Sequence, residues 1–200
     1  MTEDHATDLI DDFLGSAHVF ASALADVIEE ELLREVAENQ ITVSQLKLLK
    51  LVNLTEAQTI GDVAAFLGVS NAAASKAVDK LVRMMLLRRS EGETDRRAIH
   101  LSLTQPSRRL LAAYDAARRH KLQQIFGDFE PEELRQAAAL LDRLSAQIVN
   151  QSAEGEQMCL QCGIYFREKC VLRKLLSRQC LYQRQKERQG SDELQMKNNQ

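Results

Sequence analysis

All four cysteines of the 200-residue chain lie in its last quarter, at Cys159, Cys162, Cys170 and Cys180. Clustered thiols in a chain without a secretory signal indicate metal or redox chemistry before structural disulfides. Four thiolates suit one zinc ion or one iron–sulfur cluster, and such soft ligands exclude magnesium and calcium. Gly163 follows the Cys-x2-Cys pair and favours a turn that directs both thiolates at one ion. The sequence therefore predicts a metal centre at these cysteines, with an iron–sulfur cluster favoured over zinc.

The spacing of the last two cysteines conflicts with a simple four-thiolate site. Residues 164–188 contain neither proline nor glycine and are predicted to be helical. Ten residues of straight helix separate Cys170 from Cys180 by about 15 Å, whereas thiolates on one zinc lie within roughly 4 Å of each other. Either the helix breaks near residues 176–178, or Cys180 acts elsewhere. Reversible thiol oxidation without metal and plain buried cysteines in a packing helix remain open as alternatives.

The rest of the composition indicates a mostly helical globular protein. Hydrophobic residues make up 44% and charged residues 28% of the chain, which is too apolar for a disordered one. Two prolines, no tryptophan and 4% aromatic residues argue against a β-sandwich or barrel. No apolar run approaches the ~20 residues of a membrane span, and the acidic start is not a secretory signal. We therefore expect a cytoplasmic protein that does not enter a membrane.

Hydrophobic periodicity and capping residues predict six helices and one hairpin. Thr42 with Gln45 forms a capping-box pattern, and Thr59 with Asp62 caps another helix. Ser70 is a good N-cap directly after Gly68-Val69. The predicted helices span residues 8–37, 42–54, 59–67, 71–86, 104–126 and 131–149, and the predicted strands span 87–90 and 98–103.

The two helices around Gly68-Val69-Ser70 have the layout of a helix-turn-helix, and the hairpin that of a wing. One face of helix 71–86 is apolar, while the other carries small and polar residues suited to base edges in the major groove. The whole chain has a net charge of −3, but residues 60–100 hold seven Lys and Arg against five Asp and Glu. The candidate DNA-contacting residues are Ser70, Asn71, Ala72, Ser75, Lys76 and Lys80 on the helix, and Arg88, Arg89, Arg96 and Arg97 on the hairpin.

Residues 41–104 resemble the multiple-antibiotic-resistance regulator (MarR) family of winged helix-turn-helix transcriptional regulators. The helix-turn-helix is matched by IGDVAAFLGVSNAAASKAVDKL, and the wing signature by Asp95-Arg96-Arg97 with Leu101-Ser102-Leu103-Thr104. The resemblance extends over about residues 8–150 and implies sequence-specific binding of double-stranded DNA by a homodimer. It also implies that Arg97 enters the minor groove and that Asp95 orients the wing. Met85 stands where the family commonly has glycine, which puts the exit from the recognition helix in doubt.

Apolar residues near both ends of the family-like region support the homodimer. They have no obvious partners within a compact winged domain, whereas a twofold dimer would bury them and space two recognition helices one DNA turn apart. The resemblance assigns the first and the last two helices to dimerisation. The residues concerned are Leu9, Phe13, Phe20, Leu140, Leu141, Leu144 and Ile148.

The predicted fold is therefore mostly α: a winged helix-turn-helix domain with a two-stranded wing, flanked by N- and C-terminal dimerisation helices. We expect a dimeric domain over residues 1–150 with its reading core at 41–104. A linker at 151–158, the cysteine segment at 159–188 and a flexible tail at 189–200 complete the chain.

Two functions of other classes remain as alternatives to a DNA-binding regulator. A thiol oxidoreductase would use Cys159 and Cys162, but the sequence lacks the βαβ context, a Ser/His/Asp set and a phosphate-binding loop. An adaptor would dock its basic cysteine helix on another protein. We expect no enzymatic activity, and salt-sensitive, sequence-preferring duplex binding separates the regulator from both alternatives.

Overall fold

The computed structural model describes residues 3–37, 41–55, 59–91, 99–151, 165 and 170. Its order of elements confirms the predicted one, a mostly helical chain with one antiparallel two-stranded sheet. The elements are α1 (Glu3–Ala23), π1 (Leu24–Glu31), α2 (Leu32–Ala37), α3 (Val43–Thr55), α4 (Ile60–Leu67), α5 (Asn71–Arg83), β1 (Leu87–Glu91), β2 (Ile99–Leu103), α6 (Gln105–Phe126) and α7 (Pro131–Asn150).

The first predicted helix is present, but eight residues within it, Leu24–Glu31, form a π-helix. α1, π1 and α2 follow one another without a break, and the residues flanking π1 have right-handed helical backbone angles. Within π1, the carbonyl of Ile28 accepts a hydrogen bond of 3.2 Å from the hydroxyl of Tyr114 on α6. Side chains that bond to a helix carbonyl from outside accompany such departures from the regular α-helical ladder. The sequence pattern of the helix alone did not predict this segment.

The predicted caps form as side-chain hydrogen bonds. The amide of Thr42 donates to the Gln45 side chain over 3.0 Å, and the amide of Gln45 donates to the Thr42 hydroxyl over 3.3 Å. Thr59 and Asp62 make the same reciprocal pair at the start of α4. Because each pair satisfies backbone donors that a helix start leaves unpaired, these sequence positions fix where the helices begin.

The core lies around α3, which is buried on several sides. This helix contacts β2, α4 and α6, and its leucines form one cluster with buried residues of α4, α5, both strands and α6. A short helix that is apolar around most of its circumference belongs in a core rather than at a surface. The fully buried members with the largest side chains are Tyr114, Leu46, Leu48, Leu49, Leu51, Leu81, Leu87, Leu101, Val52, Val63 and Val78.

The helices at the two ends of the described chain have a different character. Large apolar side chains on α1 and α7 are exposed, with Leu9 64% and Ile148 65% accessible. Leu134, Leu141 and Ile148 recur every seventh residue and form an exposed stripe along α7. Within the part of the chain that the structure describes, no helix has the length and hydrophobicity needed to cross a membrane.

Candidate DNA interface

The turn between α4 and α5 depends on Gly68. Its φ of 65° lies in the left-handed region, which glycine adopts without strain. Amides of Gly68 and Val69 both donate to the carbonyl of Ala64, the latter over 3.0 Å, so the turn satisfies groups that the end of α4 leaves free. The helix-turn-helix predicted from the sequence is therefore present, with its second helix starting where Ser70 was expected to cap it.

The hydroxyl of Ser70 accepts a hydrogen bond of 3.2 Å from the amide of Ala73 and so caps α5. Ala74, Val78 and Leu81 of this helix are buried in the core. The opposite face is open to solvent. The remaining predicted DNA-contacting residues of α5 lie together on this face, within the first three turns. These are Asn71, Ala72, Lys76 and Lys80, which are exposed, and Ser75, which is half-buried.

The two arginines of β1 lie on opposite faces of the wing. The register pairs Arg88 with Ser102 and Arg89 with Leu101, and side chains alternate between the faces of a strand. Arg89 therefore shares the inner face with buried Leu101, and its Nη1 lies 2.7 Å from Oδ1 of Asp79 on α5. Arg88 lies on the outer face and is exposed.

This division separates two roles that the sequence grouped together. The ion pair ties the wing to the recognition helix, since it joins a side chain of β1 to one of α5. Asp79 was not predicted as a functional residue, although its position opposite the apolar face of the helix could have indicated a partner on the wing. Arg88 remains available for a partner outside the chain.

The recognition helix ends at Arg83, so the predicted end at residue 86 is wrong by one turn. Met85 adopts a left-handed conformation with φ 58°, and the amide of Leu86 donates to the Leu81 carbonyl over 2.9 Å. This is the usual helix-terminating arrangement, in which glycine is normally the left-handed residue. Thr104, which caps α6, also donates its hydroxyl to the Met85 carbonyl over 2.7 Å. The exit is therefore held by a hydrogen bond from the far side of the wing.

Several predicted site residues lie outside the described residues. Asp95, Arg96 and Arg97 of the wing are among them, as are Cys159, Cys162 and Cys180. Cys170 is described; it is half-buried and forms no disulfide with another described residue. The described residues contain no group of three or more His, Cys, Asp or Glu side chains placed to hold a metal. With three of the four cysteines outside that set, the metal centre stays a prediction.

Three helices, a glycine turn, a polar recognition face and a two-stranded wing define a winged helix-turn-helix protein. Residues 41–99 match the model of the MarR family, which confirms the resemblance over that part of the chain. The match covers the helix-turn-helix and the start of the second wing strand, which are the parts that carry the predicted DNA-contacting helix.

Solved structures share this fold. RV1404 from Mycobacterium tuberculosis is 27% identical, with a TM-score of 0.58 over 67% of this chain and 91% of its own. The MarR family transcription regulator SP03579 is 20% identical, with a TM-score of 0.61 over 74% and 98%. FabT from Streptococcus pneumoniae, solved in complex with DNA, is 22% identical, with a TM-score of 0.58 over 73% and 99%. A comparison with curated proteins finds no match.

Proposed function

We propose that this protein is a transcriptional regulator that binds specific sequences of double-stranded DNA as a homodimer. The observation that carries the proposal is the solvent-facing side of α5, where Asn71, Ser75 and Lys76 lie together beside the wing. Short side chains at the start of such a helix allow its backbone to approach base edges, and amide and ammonium groups can bond to them.

The arrangement of polar and charged side chains on this surface supports separate roles in base recognition and in phosphate binding. Asn71 and Ser75 can read bases in the major groove, while Lys76, Lys80 and the outward-facing Arg88 can neutralise phosphates. Arg89 is engaged by Asp79 at 2.7 Å and acts on DNA by holding the wing in place. Arg97, by resemblance to the family, would add a minor-groove contact at the wing tip.

The homodimer is supported by the apolar surface of the terminal helices. A contiguous patch of exposed apolar side chains on a globular protein commonly marks a surface that associates with another protein. In a twofold dimer formed through α1 and α7, the stripe of Leu134, Leu141 and Ile148 would pack against the same stripe of the second chain. An apolar groove lies near one end of this surface, lined by Phe20, Ala23, Leu24, Val27, Ile28, Ile125, Phe126 and Phe129.

Selection from a random duplex library, followed by titration of the enriched sequence at several salt concentrations, tests the proposal. We expect one enriched motif with twofold symmetry. Lys76→Ala should weaken binding to all sequences and reduce the salt slope by about one. Arg97→Ala should cost ~1–3 kcal/mol if it contacts a base. Arg34→Ala removes an equal charge from an exposed pair with Glu30 and serves as the control. Absence of an enriched motif contradicts the proposal.

We further propose that the four cysteines hold one metal centre per chain, an iron–sulfur cluster before zinc. The number and softness of the thiolates and the Cys159-x2-Cys162-Gly163 sequence support this. Anaerobic purification with metal analysis and an absorption spectrum tests it. Cys159→Ser and Cys162→Ser should lose the metal, and Cys180→Ser reveals whether the fourth thiol is a ligand. Protein with neither iron nor zinc would leave thiol oxidation as the chemistry of this segment.

A further inference from the structure

One residue of the cysteine segment lies against the core of the dimerisation and reading helices. The ring of Tyr165 packs at the edge of the hydrophobic cluster, with the guanidinium carbon of Arg118 5.0 Å from its centroid. In sequence, Tyr165 stands between Cys162 and Cys170. A contact at this position connects the segment that carries the thiols to α6.

The surroundings of Tyr165 combine residues from two elements. Burial raises the pKa of Tyr165 to about 12, and the nearby carboxylate of Glu29 on π1 raises it further. Burial also raises the pKa of Tyr114 on α6, with the neighbouring Tyr165 as the next cause. These two phenols and Glu29 therefore lie close enough to influence one another, and Tyr165 lies at the junction of π1 and α6.

Two polar groups at this junction are poorly satisfied. The Tyr165 hydroxyl and Nε of Arg118 are both buried, and neither makes a hydrogen bond of good geometry to a described residue, although the Glu29 carboxylate lies beside the hydroxyl. Poorly satisfied buried polar groups oppose docking, whereas ring burial and the cation–π contact favour it. Because these contributions have opposite signs, the docked and released states differ less in free energy than a fully satisfied contact would allow. A modest change elsewhere in the segment can then shift the balance.

Hydrogen bonds also connect the junction of π1 and α6 to the helices proposed for dimerisation and to the exit of the recognition helix. Tyr114 donates its hydroxyl to Ile28 in π1, which leads into the exposed face of α1. At the N-terminal end of α6, the hydroxyl of Thr104 donates to the Met85 carbonyl at the exit of the recognition helix. A change at the junction therefore reaches the dimerisation helices and the reading unit through one continuous helix.

We propose that Tyr165 is a releasable anchor, docked between π1 and α6, through which the sequence around it is coupled to DNA binding. The docked anchor fixes the angle between the dimerisation helices and the reading unit, which preorganises the two recognition helices for one DNA spacing. The coupling to DNA rests on the proposed function, whereas the docking itself does not.

A double-mutant cycle in the full chain tests the anchor, with Tyr165→Ala, Arg118→Met and their combination. We expect Tyr165→Ala to lower the midpoint of thermal unfolding by about 2–4 °C, and the double variant to unfold at the same temperature as Tyr165→Ala. Tyr165→Phe keeps the ring and removes the poorly satisfied hydroxyl, so its midpoint should equal or exceed that of the unmodified chain. Additive effects of the two substitutions, or an unchanged midpoint in Tyr165→Ala, would overturn the anchor.

Titration of the same variants with the selected duplex tests the coupling. Tyr165→Ala should weaken binding about fivefold or more, and Tyr165→Phe should bind like the unmodified chain. A lowered midpoint with unchanged DNA affinity would overturn the coupling. If the unmodified chain selects no DNA sequence, the proposed function fails, while the thermal cycle still decides whether Tyr165 is docked.

Discussion

The reading unit and the terminal helices of this protein differ in how far their apolar side chains are buried. In the reading unit, from α3 to β2, the leucines are buried within one chain and the helix starts are capped. On α1 and α7, apolar side chains of similar size remain exposed. The first region therefore resembles a finished domain, and the second resembles half of an interface. Substitutions should accordingly reduce folding free energy in one region and association free energy in the other.

The largest effect is expected inside the reading unit. Leu81 is fully buried against the core, and Leu81→Ala should lower the free energy of unfolding by about 2–5 kcal/mol because it leaves a cavity. Urea denaturation at fixed protein concentration measures this. The neighbouring exposed residue provides the control, and Lys80→Ala should stay within about 0.5 kcal/mol of the unmodified chain. Equal losses in both variants would mean that α5 is not packed as described.

On the terminal helices, the corresponding change should affect association. Ile148 is 65% exposed, so Ile148→Glu should leave the fold intact and remove roughly 2–4 kcal/mol of dimerisation free energy. Sedimentation across a concentration series should then show monomers, and DNA affinity should fall with the loss of the second reading unit. Gln147→Glu introduces the same charge at the adjacent exposed position and should remain dimeric. A dimeric Ile148→Glu variant would contradict the proposed interface.

A smaller effect is expected at the start of the recognition helix. Ser70→Ala removes the hydroxyl that accepts from the Ala73 amide, which should cost about 0.5–2 kcal/mol of folding free energy. Ser22→Ala, at an exposed position within α1, is the matched control and should cost nothing, because alanine favours a helix interior. Chemical denaturation of both variants under one set of conditions makes the comparison.

The smallest effect should be a gain at the exit of the same helix. Met85 is 67% exposed and left-handed, so Met85→Gly should stabilise the protein by about 0.5–1 kcal/mol through relief of backbone strain. Arg83→Gly, within the last turn of α5, should instead destabilise it by about 1 kcal/mol. If both substitutions destabilise the protein to the same extent, Met85 is not in the conformation described.

The features that could be predicted from the sequence are those that short-range chemistry determines. Thr42 with Gln45, Ser70 and Gly68 act on backbone groups a few residues away, so their spacing alone indicates the caps and the turn. Strand alternation in residues 98–103 likewise matches the observed burial of Leu101 and Leu103. The helix-turn-helix and the wing followed from these local signals.

The remaining features depend on residues that are distant in sequence. The π-helix has a hydrogen bond at Ile28 from a hydroxyl 86 residues away. The exit of α5 is held by Thr104, 19 residues on. The pairing of Arg89 with Asp79 requires the angle between a strand and a helix, which no single-element pattern contains. The position of Tyr165 on the core is a further example, because nothing in the periodicity of residues 164–188 indicates a partner on α6.

The burial of α3 also has a consequence for the dynamics of the molecule. Four leucines and Val52 on a helix of 13 residues have at most 2% of their surface exposed. Amide protons of α3 can therefore exchange with solvent deuterium only when the surrounding reading unit opens as a whole. In the isolated monomer, the amides of α1 should exchange orders of magnitude faster, because the apolar side chains of its outer turns are exposed. Exchange rates along the chain would then rank the elements by the free energy of the opening that exposes each one.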